Sequence, residues 1–279
     1  MTLHLMERVV AEDEGEGDPV VCVHGLGGSA NTWTAMMPAL GRHRVLRIEL
    51  PGSARSSRAE GALSVERFVD AVVRLLDRLG LAQAHWLGHS LGTIVCQHLA
   101  VRWPARVRSL ALFGPLLAPA EPARQGLRGR AERLRREGVA GMHEVTQQLV
   151  ASALSSETRQ RVPLAVACVR DTLARSDPEG YARTCEALAD AQPAAVDRIQ
   201  APVLLVTGDE DVVAPPQSVR AMAERLHAAA SVRTVVLPRC GHWTPLERPQ
   251  DCAALWLDFI AAASRAGGVR RPPVPATAH

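Results

Sequence analysis

The 279-residue sequence predicts an α/β fold in which helices flank a mostly parallel, twisted β-sheet. Short apolar strands alternate with amphipathic helices between residues 19 and 113. From Pro115 to about Asp197 the pattern changes, because helical stretches follow one another there without a convincing strand. The alternation of strand and helix returns at Pro202. Since such alternation produces parallel sheets covered by helices, we expect one α/β core that a long helical segment interrupts.

The first part of the core is expected to hold five strands and three helices. Residues 19–23 are apolar on both faces, as a buried parallel strand requires. In 65–79, apolar side chains recur every three or four residues, and Ser64 is suited to cap this helix. An acidic, glycine-bearing turn is expected at 12–18. The predicted strands are 3–10 (an edge strand), 19–23, 45–50, 84–87 and 107–113, and the predicted helices are 31–40, 65–79 and 91–103.

The rest of the chain divides into an insertion, the second part of the core and a tail. We assign 1–114 and 198–266 to the α/β core, 115–197 to a helical lid and the proline-bearing 267–279 to a disordered tail. Helices are predicted at 124–137, 142–154, 163–174, 180–189, 216–228 and 253–263, and strands at 202–206 and 232–237.

Composition excludes several classes of function. All 32 Lys and Arg positions are arginine, so chemistry that needs a lysine amine is excluded. The formal net charge of +3 equals the number of arginines in the C-terminal segment, so the body of the chain has no excess charge to attract nucleic acid. The six cysteines form no C-x-x-C pair, and we expect no metal site and no cofactor. With no signal peptide and no apolar run long enough for a membrane span, the cytoplasm is the expected compartment.

The stretch Gly88-His89-Ser90-Leu91-Gly92 lies between a predicted strand and a predicted helix. A strand that turns at once into a helix strains the backbone of the central serine, and glycines beside it allow the close approach that the turn needs. The result is a hydroxyl exposed at the carboxyl edge of the sheet. This is the nucleophile elbow, with Ser90 as the nucleophile.

A second glycine-rich loop, His24-Gly25-Leu26-Gly27-Gly28, follows the buried strand 19–23. It lacks the G-x-G-x-x-G spacing of a dinucleotide site, and no acidic residue follows at the spacing that such a site requires. The alternative is an oxyanion loop, in which the backbone N–H of Leu26 points at the developing oxyanion. The second N–H would come from Leu91, directly after the nucleophile.

These motifs, together with Gly208-x-x-Asp211 and Pro215 and with Gly241-His242, Glu247 and Pro249, resemble those of the α/β-hydrolase family, in the family's order of Ser, Asp and His. The resemblance covers nearly the whole chain and implies that Ser90 attacks an acyl carbonyl while His242 takes its proton. It also implies that the acid is Asp211, three residues after the glycine, with Asp209 as the alternative.

One segment departs from the family pattern. The family commonly carries Asp-x-x-Gly-x-Gly-x-Ser after the third large strand, whereas this chain has Glu49 and Ala54 at the first and third of these positions. We expect only a structural effect of this change.

Other side chains near the motifs are candidates for substrate contact. Trp33 and Trp243 are expected to line the acyl pocket, and His89, next to the nucleophile, is expected to line or support the site without acting as a base. His24 is expected to be structural. The arginine-rich run 124–136 is most simply a solvated helix, and the alternative is that one of its arginines binds a substrate carboxylate.

Within the family, the lid region is similar to β-ketoadipate enol-lactone hydrolases. The resemblance rests on the Arg-x-x-Gly pattern at 135–138, on Asp-Pro-Glu-Gly-Tyr-Ala at 177–182, on 185–188 and on 208–216. It implies a small carboxylated ester or lactone as substrate, cleaved through an acyl-enzyme. A carbon–carbon bond hydrolase, a cofactor-free perhydrolase and a non-catalytic binding protein remain alternatives. The expected partner is thus a small molecule, with no nucleic acid and no membrane, and a homodimer remains open.

Overall fold

Eight strands form a single sheet in the computed structural model, which describes residues 1–6, 9–56 and 61–267. The order across the sheet is β1-β2-β4-β3-β5-β6-β7-β8. The pairs β1–β2 and β2–β4 are antiparallel, and every other neighbouring pair is parallel. The strands are β1 Thr2–Met6, β2 Val9–Glu14, β3 Pro19–Val23, β4 Arg44–Glu49, β5 Ala84–His89, β6 Val107–Phe113, β7 Val203–Gly208 and β8 Val232–Leu237.

The amino-terminal edge differs from the single strand predicted at 3–10. Two antiparallel strands, β1 and β2, stand there, and β2 runs on into residues 12–14, where a turn was predicted. The acidic side chains can remain in a strand because basic partners lie across the sheet. Arg44 pairs with Asp13 at 2.7 Å, and Arg47 pairs with Glu12 at 2.7 Å.

The two faces of the sheet carry separate apolar clusters, because successive side chains of a strand point to opposite faces. On one face, Val21 and Val23 of β3 pack in the same cluster as the side chains of α2 and α3. On the other face, Val20 and Cys22 belong to the cluster of Trp33 and of the last helix, α11. The helices of the core are α1 Met37–Leu40, α2 Val65–Arg78, α3 Leu91–Arg102, α9 Pro216–Arg225, α10 Thr244–Glu247 and α11 Pro249–Gly267.

Most predicted helices of the core are present with shifted ends. The helix predicted at 31–40 is a 3-10 helix, Ala30–Met36, followed by the short α1. The helix predicted at 253–263 starts earlier and forms α11. The predicted disordered tail, 267–279, lies outside the described residues except for its first residue, which ends α11. None of the helices in the described ranges combines the length and apolar character that crossing a bilayer requires.

Between β6 and β7 the chain forms five α-helices, a short 3-10 helix at Val196–Arg198 and no strand, almost all within the span predicted to be the lid. The α-helices are α4 Glu121–Glu137, α5 Val139–Ala153, α6 Ser156–Arg161, α7 Pro163–Ala174 and α8 Pro178–Asp190. The short α6 was not predicted. Arg135 on α4 pairs with Glu179 and Glu186 on α8, so ion pairs join the two helices at their exposed surfaces. We call this segment the helical insertion, and its action as a lid remains a prediction.

Candidate active site

Ser90 occupies the turn between β5 and α3 and has a backbone conformation that L-residues avoid, with φ 51° and ψ −117°. Its N–H donates to the carbonyl of Phe113 at 3.0 Å, and its own carbonyl accepts from the N–H of Thr93 at 2.8 Å. The flanking glycine is needed for space: a Cβ on Gly92 would lie 2.2 Å from the carbonyl oxygen of Val23. The strand, turn and helix expected of a nucleophile elbow are therefore present around Ser90.

The loop after β3 lies directly against this turn. A Cβ on Gly25 would lie 2.8 Å from the Cβ of Ser90, so only glycine permits this approach. Leu26 follows Gly25, and Leu91 begins α3, where the first N–H groups of a helix have no intrahelical acceptor. In the described part of the chain, neither the N–H of Leu26 nor that of Leu91 donates to a backbone carbonyl. These two N–H groups are the donors that the sequence predicts for an oxyanion.

His24 is held as part of this loop. Its Nδ1 lies 2.7 Å from the carbonyl oxygen of Gly25, and its Nε2 accepts the N–H of Leu50 at 3.1 Å. The side chain has no exposed surface, and burial lowers the pKa of His24 below its ordinary 6.5. The neutral ring satisfies both hydrogen bonds, in agreement with the structural role expected for it.

Asp211 and His242 form a close pair at the carboxyl edge of the sheet, on the loops after β7 and β8. The Nδ1 of His242 lies 2.8 Å from Oδ2 of Asp211, and both side chains are buried. The other oxygen, Oδ1, accepts the N–H groups of Val213 and Ala214, each at 2.8 Å. Burial raises the pKa of Asp211, but the charge and hydrogen bond of His242 and the two N–H donors outweigh it, so the pKa lies below 3.8.

The alternative acid, Asp209, has a different partner. Its Oδ1 accepts the N–H of Cys240 at 3.1 Å, and Asp209 is exposed. Asp209 therefore contacts the backbone of the loop that precedes His242, whereas Asp211 contacts the imidazole itself. Because an Nδ1–H that donates to Asp211 leaves Nε2 unprotonated, the pair is arranged to present a base.

His89 supports the loop of His242. Its Nε2 donates to the carbonyl oxygen of His242 at 2.9 Å, and its ring centroid lies 5.2 Å from that of His242 and 5.1 Å from that of Trp243. Burial is the main cause that lowers the pKa of His89 to about 3, and the proximity of His242 adds to it. The ring is therefore neutral at pH 7, and support of the site by His89 remains a prediction.

The two tryptophans differ in their surroundings. Trp243 lies beside His89 in the site and is 4% exposed. Trp33 has no exposed surface and packs edge-on against Phe113, with ring centroids 5.8 Å apart, in the core on the α11 face. The structure thus brings Trp243, but not Trp33, next to His242. Contact with substrate is therefore proposed for Trp243 alone.

Glu49, at the position where the family commonly has aspartate, holds its own loop. Its carboxylate accepts from the guanidinium of Arg55 at 2.7 and 2.9 Å and from the backbone N–H of Arg55 at 2.9 Å. These contacts fix the turn after β4, as expected for a structural effect.

Most arginines of α4 already have partners. Arg124 donates to the backbone carbonyls of Pro119, Ala189 and Ala191, and ion pairs engage Arg128, Arg133, Arg135 and Arg136. The guanidinium of Arg130 lies near the buried Tyr181 hydroxyl and the Cys185 thiol. Burial raises the pKa of both groups, and Arg130 offsets a part of this increase. Substrate carboxylate binding by one of these arginines remains a prediction.

Sequence analysis missed the contacts between the helical insertion and the loop of His242. The N–H of His242 donates to the carbonyl oxygen of Ala153, at the end of α5, at 2.8 Å. No sequence signal marks a backbone carbonyl. The sequence shows Glu247 as the acidic residue that follows Gly241-His242. The pattern alone does not predict that this carboxylate is buried.

Within residues 1–6, 9–56 and 61–267, no group of three His, Cys, Asp or Glu side chains is placed to hold a metal ion.

Comparison with known proteins agrees with this architecture. The family model described as "alpha/beta hydrolase fold" matches residues 18–249. The chain is 29% identical over 269 residues to 2-hydroxymuconate semialdehyde hydrolase of Pseudomonas sp. strain CF600, covering 93% of this chain and 92% of the relative.

Two solved structures are also similar over most of their length. The enol-lactonase of Burkholderia xenovorans LB400 has a TM-score of 0.83 and 28% identity, covering 91% of this chain and 96% of that one. A thermophilic esterase of Thermogutta terrifontis has a TM-score of 0.84 and 26% identity, covering 91% of this chain and 93% of that one.

Proposed function

This chain belongs to the α/β-hydrolase fold family, and we propose that it is a serine hydrolase that cleaves a small carboxylic ester or lactone through an acyl-enzyme. The observation that carries the proposal is the buried pair of His242 and Asp211, 2.8 Å apart, at the same edge of the sheet as the strained Ser90. A serine in such a turn, with an oriented imidazole on a neighbouring loop, has the parts that acyl transfer needs.

In the proposed mechanism, Ser90 Oγ attacks the acyl carbonyl while His242 Nε2 takes its proton. An alcohol is a weak nucleophile at neutral pH, so the base must act as the bond forms. Asp211 keeps the proton of the resting imidazole on Nδ1 and stabilises the imidazolium that forms. The N–H groups of Leu26 and Leu91 would bind the oxyanion, and each such donor typically contributes about 10²–10³-fold in rate.

The second half of the reaction uses the same groups. The imidazolium of His242 gives its proton to the leaving oxygen, which in a lactone stays tethered to the acyl group. Water then attacks the ester on Ser90, and His242 accepts a proton from that water as the bond forms. The imidazolium of His242 then returns a proton to Ser90 Oγ as the carboxylic acid leaves, which regenerates the Ser90 hydroxyl.

A carboxylated enol-lactone is the substrate class that we favour. Support comes from the lid-region motifs and from the similarity to the Burkholderia enol-lactonase at 28% identity over 91% of this chain. The similarity to the Thermogutta esterase supports ester cleavage more generally. The fold does not determine the substrate, so the substrate panel described below distinguishes enol-lactones from other esters.

A carbon–carbon bond hydrolase is the second candidate. It is favoured by the 29% identity to 2-hydroxymuconate semialdehyde hydrolase over 93% of this chain, and by the similar match to 2-hydroxy-6-oxo-2,4-heptadienoate hydrolase of Pseudomonas putida. The same three side chains would serve this reaction, so substrates must distinguish the two.

The test is a substrate panel run with the purified protein and with Ser90→Ala. The panel holds p-nitrophenyl acetate, butyrate and octanoate, γ- and δ-lactones, β-ketoadipate enol-lactone and 2-hydroxymuconate semialdehyde. We expect preference for the enol-lactone and a loss of at least about 10⁴-fold in kcat in Ser90→Ala. Preference for the semialdehyde would favour the second candidate.

A serine-directed fluorophosphonate serves as a control for the nucleophile. It should label the unaltered protein and leave Ser90→Ala unlabelled. Activity that survives in Ser90→Ala, or the absence of any labelling, would overturn the serine mechanism.

A further inference from the structure

Three successive N–H groups of the segment that carries His242 all have acceptors beyond that segment. The N–H of Gly241 donates to Oε2 of Glu247 at 3.0 Å, and that of Trp243 donates to Oε1 at 3.0 Å. Between them, the N–H of His242 donates to the carbonyl oxygen of Ala153 at 2.8 Å. The backbone on both sides of the imidazole is thus fixed by these two acceptor residues.

Glu247 receives two further donors from the helical insertion. The N–H of Ser155 lies 2.9 Å from Oε2, and the hydroxyl of Thr158 lies 2.8 Å from the same oxygen. The hydroxyl of Ser155 donates to that of Thr158 at 2.8 Å, which extends the network. Glu247 is 2% exposed, and no ion pair reaches it from the described cations. All four groups that meet this carboxylate are donors, and only a carboxylate can accept from all four.

The contact between the insertion and the loop is close as well as hydrogen-bonded. A Cβ on Gly241 would lie 2.6 Å from the carbonyl oxygen of Ala153 and 2.7 Å from the nitrogen of Ser155. The same junction, residues 153–158, also reaches the acid loop, because the N–H of Ser156 donates to Glu210 at 2.8 Å. The α5–α6 junction therefore touches the loops of both Asp211 and His242.

We propose that Glu247 is a positioning residue that couples the α5–α6 junction to the imidazole of His242. The inference rests on the proposed function, in which His242 is the base. In this proposal, the helical insertion helps to set the position of His242. Ser155 and Thr158 donate to the Glu247 carboxylate, which also accepts from the backbone on both sides of His242. Residues of the insertion that touch no substrate then affect the chemical step.

The size of the expected effect follows from the geometry of proton transfer. A base must lie within hydrogen-bond reach of the nucleophile, and a displacement of about 1 Å can cost about 10²-fold in rate. Glu247→Gln keeps the shape but turns an NH₂ group toward at least one of four donors. Thr158→Val removes one donor to Oε2 from within the insertion and leaves the loop of His242 chemically unaltered.

The experiment compares Glu247→Gln, Thr158→Val and the double variant with Ser152→Ala as the matched control. Ser152 is an exposed residue on α5 whose hydroxyl donates to the carbonyl of Gln148, and it lies outside the network. Kinetics on p-nitrophenyl acetate, or on the best ester of the panel, give kcat and KM separately. NMR follows the downfield proton between His242 and Asp211, and circular dichroism measures the folded fraction.

We expect Glu247→Gln and Thr158→Val each to lower kcat about 10- to 100-fold with KM changed less than about 3-fold. The downfield proton should shift or broaden in both variants, and their effects should combine to less than the product, since they act on one network. Ser152→Ala should behave as the unaltered protein. If Glu247→Gln does not fold, Thr158→Val carries the same test.

Unchanged kcat and an unmoved proton signal in folded Thr158→Val and Glu247→Gln would overturn the coupling. A loss of folded fraction without a change of kcat per folded molecule would also overturn it, because that is what a merely structural role predicts. The proposed function fails separately, through persistent activity in Ser90→Ala.

Discussion

At the scale of single residues, hydrogen bonds favour Asp211 as the acid of the proposed site. Asp211 accepts two backbone N–H groups on one oxygen and faces His242 with the other. Because Oδ1 is held by the two N–H groups, Oδ2 of Asp211 can hold the imidazole of His242 in one orientation. It also separates Asp211 from its neighbour Asp209, which bonds to the backbone N–H of Cys240.

Asp211→Asn should reduce kcat/KM by at least about 10³-fold, while Asp209→Asn should stay within about 10-fold of the unaltered protein. In Asp211→Asn the amide oxygen can still accept the two N–H groups, which leaves NH₂ facing His242. The ring must then carry its proton on Nε2, which is the wrong tautomer for a base. Steady-state kinetics on one ester measure both variants, and the reverse order of losses would make Asp209 the acid.

The sequence predicted Asp211 and His242 from their positions in motifs. The hydrogen bonds around them could not be predicted from those motifs. The pattern predicted the turn at Ser90 because glycine spacing is a steric requirement written in the sequence. The role of Ala153 could not be predicted, because a backbone carbonyl has the same chemistry in every residue. Trp33 was expected to line the acyl pocket, and its buried ring belongs to the core cluster on the α11 face, a placement that the sequence pattern does not show.

At the scale of elements, glycine has opposite consequences in two helices. In α3, Gly92 lies where a Cβ would meet the Val23 carbonyl at 2.2 Å, so the helix packs against β3 through bare backbone. In α4, a Cβ on Gly126 or Gly129 would meet no atom within 4 Å, so these glycines only weaken the helix. The close packing of α3 keeps its amino terminus at the sheet edge.

Gly92→Ala should therefore destabilise the protein by about 2 kcal/mol or more, because the added methyl group forces β3 and α3 apart. Gly126→Ala is the matched change in an open position and should stabilise the protein by about 0.5–1 kcal/mol. Urea unfolding followed by circular dichroism measures both. Equal effects of the two substitutions would contradict the packing argument.

The elements also show where periodicity was informative. The buried strands and α2 were predicted almost residue by residue, because their apolar spacing is regular. The edge was mispredicted because the charges of β2 resembled a turn, and only the partners on β4 explain why a strand forms there. The short α6 has only 6 residues, which is too few for a helical spacing of apolar residues to be recognised.

At the scale of the whole molecule, parallel strands bring distant motifs to one edge of the sheet. The loops after β3, β5, β7 and β8 all follow the carboxyl ends of strands, where ligands bind in such sheets. This rule made the general location of the site predictable from strand order. The contact between the insertion and the loop of His242 was not predictable, because the packing of its helices follows no such rule.

Buried histidines link the stability of the whole molecule to pH. Burial lowers the pKa of His85 from 6.5 to about 4 and that of His89 to about 3. The unfolded chain therefore binds protons below pH 6.5 that the folded protein does not, so the free energy of unfolding should fall as the pH drops from 6.5 to 4. Above pH 6.5 this contribution is fully present.

Urea unfolding at several pH values measures the slope in this window. His85→Asn should reduce it by up to about 1.4 kcal/mol per pH unit, since one titrating group is removed. The exposed His227 provides the matched change, because His227→Asn replaces a surface histidine in the same way. A slope that is the same in all three proteins would contradict the assignment to His85.

The backbone of Ser90 has a consequence for the history of the sequence. A non-glycine residue at φ 51° and ψ −117° raises the free energy of the native state by about 1–3 kcal/mol. Drift under selection for folding alone would favour glycine there, and glycine is one base change from some serine codons. A chain that carries serine here bears this cost in folding free energy, and the nucleophilic role proposed for the Ser90 hydroxyl would account for it.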